Sequence, residues 1–374
     1  MLSEFELIDR FFLRRAQQLQ THGRAAHLGI GDDCALLRAP AGQDIAVSTD
    51  MLVSGRHFLP DVDAERLGHK SLAVNLSDLA AMGAAPAAFT LSLALPHADA
   101  SWLEGFSNGL FALAERFDCE LVGGDTTAGP LTISITVFGH IPRGLALRRD
   151  AAQHGDDIWL SGNLGDARLA LGLFRNDWRQ STGSSADSRA KNRSGVGAND
   201  DDTDTDELID LVPNAAATLK AVRSAMETPE PRVALGLLLR GVAHAAIDLS
   251  DGLIGDLAHI LRRSGKTARV NVDAIPRSAW VAAQTSDIQR ICTIAGGDDY
   301  ELCFTAPVSA RAQLQDISAQ CRLPLTRVGT ILNPSPGAAS SPTSLPSSSA
   351  GHIAWVDSRD APVSLSLTGF DHFE

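Results

Sequence analysis

The sequence is poor in aromatic residues, which make up 5% of its 374 positions. A core must then be built from Leu, Ala, Val and Ile, and the overall hydrophobic share of 44% is enough for one. Cysteine is also scarce. Cys34, Cys119, Cys292, Cys303 and Cys321 are odd in number, scattered and without a CxxC pair. This argues against a disulfide framework or a cysteine zinc site and fits a reduced cytosol, so a cytoplasmic protein is expected. No uncharged apolar run approaches the length of a membrane span. The opening "MLSEFELIDR" has no signal-type apolar core. Basic charge is in deficit: 32 Lys and Arg against 45 Asp and Glu give a formal charge of -13. Nonspecific binding to nucleic acid or to an anionic membrane needs a basic field, so neither partner is expected. An anionic substrate stays open, because divalent cations can invert the local sign.

Familiar motifs are missing too. "RSGKT" resembles the end of a P-loop, but Ile260 stands where the first glycine belongs, and the segment ends a helix instead of opening one. "GIGDDC" puts Cys34 at the third glycine of a dinucleotide loop and follows no convincing strand. There is no HExxH, no GxSxG and no credible cysteine nucleophile.

What is present is an alternation of strands and helices in both halves, which predicts α/β or α+β layers. The length suggests two domains or three small ones. "RRDAAQHGDD" breaks the apolar pattern, so the expected division is 1–150 and 151–374. An amphipathic helix opens the chain, with Ser3 and Glu6 as a capping box. "DIAVSTD" reads as a short buried strand, "LVGGD" as a strand running into Gly124 and Asp125, and "LTISITVFGHI" as a cleanly alternating one. A helix is expected through "VALGLLLRGVAHA" after Pro229 and Pro231. Two polar segments, 178–206 and 334–351, are expected to be disordered insertions. The acidic run at 200–206 reads as a solvated loop.

"VNLSDLAAMG" has the apolar spacing of a helix, yet it holds Asn75, Ser77 and Asp78, which are poor helix formers. Its Leu-Ser-Asp triplet returns at 249–251, where it is expected to open a helix. Other aspartates sit at strand ends beside glycine or serine: Asp32, Asp33, Asp50, Asp125, Asp248, Asp298 and Asp299. Singly, each reads as a cap or turn residue. Together they form a set drawn toward buried edges, where carboxylates repel one another unless cations intervene. Oxygen-rich sites of this kind suit magnesium bridging phosphates, and phosphoryl transfer is the chemistry they serve best. Arg148, Arg149, His57 and Lys70 are candidates to hold the anionic partner.

Seven blocks in order ("GIGDDCALL", "STDMLVSGRHFLPDVD", "KSLAVNLSDLAAMGAAP", "LVGGDTTAGPL", "AIDLSDGLIGDLAHI", "GGDDYELCFT" and "GFDHF") resemble the thiamine-monophosphate kinase family. The resemblance implies a two-domain fold like that of aminoimidazole ribonucleotide synthetase, with an N-terminal sheet forming a homodimer interface and a C-terminal α/β domain. It implies direct transfer of the γ-phosphoryl group of ATP to thiamine monophosphate, giving thiamine diphosphate. By motif, Asp33, Ser48, Thr49, Asp50, Asp78, Asp125, Asp248 and Asp251 would hold several magnesium ions. Gly124, Asp125, Arg149 and Ser250 would contact ATP. His57, Asp298 and Phe370 would contact the acceptor, with Asp298 standing where Glu is common. No covalent or general-base residue is implied, since the acceptor oxygen is already ionised. Two alternatives remain: another synthetase of the same superfamily, and an acidic calcium-binding or scaffolding protein without catalysis.

Overall fold

The computed structural model describes residues 4–18, 26–30, 34–181, 208–334 and 351–367. Ser3, Asp32, Asp33, Phe370 and most of both expected insertions lie outside the described residues.

The chain begins with α1 (Glu4–Ile8) and α2 (Arg14–Gln18), joined by a π-helical turn, and a small hairpin of β1 (Ala26–Leu28) and β2 (Leu36–Leu37). There follow β3 (Gln43–Val53), α3 (Ala64–Met82), β4 (Ala85–Leu95), α4 (Ala100–Arg116), β5 (Glu120–Ala128) and β6 (Thr132–Pro142). The four long strands form one sheet in the order β3-β6-β4-β5, antiparallel except for the β4–β5 pair. As its alternation predicts, β6 turns Ile133, Ile135 and Val137 into the core and the residues between them outward. β3 corrects the expectation of a short buried strand. It spans 11 residues and is mostly half-buried or exposed. The reason is its place at the sheet edge, where only one face meets the core.

The second half holds β7 (Asp157–Ser161), α5 (Asp166–Arg175), β8 (Arg179–Ser181), β9 (Leu208–Asp210), α6 (Ala215–Glu227), α7 (Val233–Leu238), β10 (Ala245–Asp248), α8 (Leu253–Ser264) and β11 (Thr267–Asn271). It continues with α9 (Ala279–Ala282), α10 (Ser286–Arg290), β12 (Leu302–Ala306), α11 (Arg311–Cys321), β13 (Leu325–Leu332) and β14 (Ile353–Val356). Six of these strands form a mixed sheet, β10-β12-β7-β13-β11-β14. Its helices and mainly antiparallel pairing make the whole an α/β structure of the α+β kind. The helix after Pro231 ends at Leu238, shorter than its apolar run suggests. Leu239, Val242 and Ala243 still pack in the core from a turn, so burial there needs no helix. The expected first insertion takes in Trp178, which the structure places in the core. Trp178 is 6% exposed, and its indole lies so close to Gly172 of α5 that a Cβ there would meet Nε1 at 2.1 Å.

α3 is the centre of the molecule. Asp63 caps its start, accepting from the Arg66 N–H at 3.1 Å, and Gly83 ends it at φ 68°. It packs on α4 and on the four-stranded sheet, and it reaches across to β10 of the other sheet. Because both sheets cover it, 13 of its 19 residues are buried. One core cluster joins Leu72, Leu76 and Leu79 of α3 to Leu302 and Phe304 of β12. This central position is what carries the polar residues of "NLSD" into the interior.

Candidate active site

Two sheets meeting over α3 leave a cleft of about 940 Å³. Thr49 and Asp50 border it from β3, Asp78 from α3, and Asp248, Ser250 and Asp251 from the end of β10 and the loop beyond. His57, Lys70, Asp298 and Tyr300 line it further along. The structure thus gathers most of the sequence-predicted residues, from both halves of the chain, on one cavity.

Strand alternation and helix register set their directions. On β3, Ser48 and Asp50 stand opposite Val137 and Ile135, on the inner face. The Ser48 hydroxyl donates to the Asp78 carboxylate. The Asp50 N–H donates to Asn75 Oδ1 at 3.2 Å, and Asn75 Nδ2 donates to Ser71 O at 3.0 Å. Ser77 Oγ donates to Asp248 Oδ2 at 2.7 Å across the two sheets. Asn75 and Ser77 are therefore supports: each polar group of "NLSD" either faces the cleft or holds one that does.

The carboxyls here are held under electrostatic pressure. Burial, then the charges of Asp78 and Asp251, push Asp50 up to about 7. Burial and the charge of Asp78 push Asp248 up to about 7 as well, with Ser77 and Arg149 opposing. Burial raises Asp78, while Ser48 and Arg149 pull it down. Asp256 in the first turn of α8 rises to about 8 through burial and the charges of Asp248 and Asp251. Its Oδ2 accepts the Asp251 N–H at 3.1 Å. Asp256 was missed in the sequence, where it reads as an ordinary first-turn acid.

These donors are hard oxygens, desolvated and mutually repulsive, and a small divalent cation fits them. Among the described residues no group of three acids, histidines or cysteines is gathered tightly enough to hold an ion unaided.

Other expected residues sit elsewhere. Thr49 borders the cleft, but its hydroxyl pairs with that of Thr136, 2.8 Å away on the outer face of the sheet. Asp125 lies on that outer face too, in register with Ser92, Ser134 and Met51, and outside the cleft lining. Gly124 is on the inner face at φ 151°, and a Cβ there would meet Leu91 O at 1.9 Å. Backbone packing alone requires that glycine. Arg149 is exposed, outside the lining, yet its charge reaches Asp78, Asp248 and Asp256. Arg148 is engaged by Asp150 instead. The triplet 249–251 does not open a helix: α8 starts at Leu253, after Gly252 at φ 104°. The loop instead runs beside 298–301, with the Leu249 N–H donating to Glu301 O at 2.9 Å and the Asp298 N–H to Ser250 O at 2.8 Å. His57 Nδ1 accepts the Val53 N–H at 2.9 Å, which turns its ring along the cleft wall. Arg168 and Arg175, which no motif in the sequence marks, also line the cleft beside Leu171 and Met226, as does Arg56, the neighbour of His57.

Two family models match the chain: AIR synthase related protein, N-terminal domain, over residues 31–141, and AIR synthase related protein, C-terminal domain, over 194–338. Fold and site together define a protein of the AIR synthase-related class. The thiamine-monophosphate kinase of Salmonella typhimurium is 42% identical over 373 residues, covering 99% of this chain and 98% of its own. The crystal structure of thiamine-monophosphate kinase from Stenotrophomonas maltophilia is 44% identical, with a TM-score of 0.73, covering 89% of this chain and 95% of that one. AaThiL complexed with AMPPCP and TMP is 26% identical, with a TM-score of 0.61, covering 89% and 91%. The chain belongs to the thiamine-monophosphate kinase family.

Proposed function

We propose that the chain transfers the γ-phosphoryl group of ATP to thiamine monophosphate, forming thiamine diphosphate and ADP. The observation that carries this reading is the convergence of Asp50, Asp78, Asp248 and Asp251 on one cleft from both halves of the chain. A relative seen with AMPPCP and TMP supports the choice of donor and acceptor.

Asp50, Asp78, Asp248 and Asp251 would hold magnesium in the cleft, with Ser48 and Asp33 as further oxygen donors, while Thr49 and Asp125 would hold it from the outer face of the sheet. Bound there, magnesium would cancel phosphate charge on donor and acceptor. The protein's own work is positioning. Ser48 and Ser77 orient the Asp78 and Asp248 carboxyls by hydrogen bonds. Gly124, Asp125, Arg149 and Ser250 would contact ATP. His57, Asp298 and Phe370 would contact thiamine monophosphate. No side chain need take a proton, because the attacking phosphate oxygen is already ionised.

The wider reading is of a cytoplasmic homodimer, divided at residue 150 into an N-terminal nucleotide-binding and dimerisation domain and a C-terminal α/β domain. Ile45, Val47 and Met51 are exposed on β3, and a second copy would cover them. Incubation with ATP, magnesium and thiamine monophosphate should give thiamine diphosphate and ADP in equal amounts. ADP released while thiamine monophosphate is untouched would contradict the reading.

A further inference from the structure

Asp298 and Tyr300 have φ of 70° and 51°, the left-handed region that residues with side chains rarely adopt. Their segment is held there from two sides. On one side, the Asp298 N–H donates to Ser250 O at 2.8 Å and the Tyr300 N–H to Leu249 O at 2.9 Å. A Cβ on Gly297 would meet Ser250 O at 2.2 Å, so the two loops lie backbone against backbone. On the other side, Lys70 Nζ of α3 donates to Asp298 Oδ2 at 2.5 Å.

Lys70 is 3% exposed, and it is the one lysine among the described residues that is buried. Sinking an ammonium costs free energy, and a single carboxylate that is itself 28% exposed offsets only part of it. Helix α3 does not require a cation there. Val74, one turn on, lines the same cleft, and an apolar residue at 70 would extend that stripe. A charge kept at such a cost in the wall of a cleft points to a task in the cleft.

We propose that Lys70 is a positioning residue for the acceptor substrate: its ion pair holds Asp298, and with it the 298–300 segment, left-handed at Asp298 and Tyr300, in the form that receives thiamine monophosphate. This rests on the proposed reaction and on Asp298 as an acceptor contact. The thiazolium ring is a cation, so Lys70 does not bind it directly. It fixes the carboxylate that does.

The test is a double-mutant cycle of Lys70→Met, Asp298→Ala and the pair, with Lys70→Arg as the conservative variant. KM is measured separately for thiamine monophosphate and for ATP. Lys70→Met should raise KM for thiamine monophosphate about tenfold while KM for ATP moves less than about twofold, and Lys70→Arg should recover most of the loss. The double variant should be no worse than Asp298→Ala alone, because Lys70 acts only through Asp298. Additive effects, equal rises in both KM values, or tighter acceptor binding in Lys70→Met would each overturn the proposal. Where Lys70→Met does not fold, Lys70→Gln, which keeps the length and a donor, takes its place. Wild-type protein that binds thiamine monophosphate without turnover would contradict the proposed reaction, and the same cycle would then be read from Kd. Wild-type protein that does not bind it overturns both.

Discussion

Asp78 shows what a functional carboxylate does to a fold. It sits in a helix interior where its side chain competes with the backbone, and burial disfavours its charge. Asp78→Asn keeps an oxygen for the Ser48 hydroxyl and removes the repelling charge. It should therefore lose turnover by about a hundredfold or more while melting no lower than wild type at pH 8. Asp251→Asn should lose activity similarly. Near-normal turnover in either variant would refute its role in holding magnesium. The pH dependence has a definite sign. A free carboxyl titrates near 3.9, whereas Asp50 and Asp248 titrate at about 7 in the fold. The folded state holds these protons longer. Their contribution to stability is complete below about pH 4 and is lost as pH rises through about 7. Metal-free protein should therefore melt lower at pH 8 than at pH 5.5. Magnesium should raise the melting temperature more at pH 8, and Asp50→Asn should flatten the slope. Scanning calorimetry at both pH values checks all three.

At the level of elements, β5 separates backbone need from chemistry. Gly124→Ala would drive a methyl into the carbonyl of Leu91 on β4. The expected loss is about 1–3 kcal/mol of stability, read from the urea midpoint. A variant as stable as wild type would mean that the β4–β5 pair relaxes freely. How much of the structure was legible in the sequence also depends on the element. The alternation of β6 and the helix at "NLSD" follow from local periodicity, because each element meets the core in a simple way. β3 was read as buried, since its sequence does not say that it stands at an edge. The start of α8 lies later than the sequence suggests because Leu249 and Ser250 pair with a loop far along the chain. The aspartate set was visible as a pattern. Asp256, Lys70's partnership with Asp298, and the arginines of the cleft depend on which elements the fold brings together, and no spacing encodes that.

At the scale of the whole molecule, the chain reads as two sheets sharing one helix. α3 carries Asp78 to one sheet through Ser48 and meets the other through Ser77 and Lys70. Apolar side chains stand exposed on the outer face of β3, at the edge of the four-stranded sheet: Val47 and Met51 are 59% and 57% exposed, on either side of Thr49 along the strand. Val47→Asp places a charge in the proposed dimer contact and should shift the mass measured by light scattering from dimer toward monomer. A wild-type protein that is monomeric at micromolar concentration would remove the dimer from the account. The central claim is direct phosphoryl transfer within the acidic cleft. It is tested most directly by mixing excess protein with γ-phosphate-labelled ATP, magnesium and thiamine monophosphate and quenching in acid over a single turnover. Label should pass from ATP into thiamine diphosphate without residing on the protein. Label held by the protein, or released only as inorganic phosphate, would contradict the account.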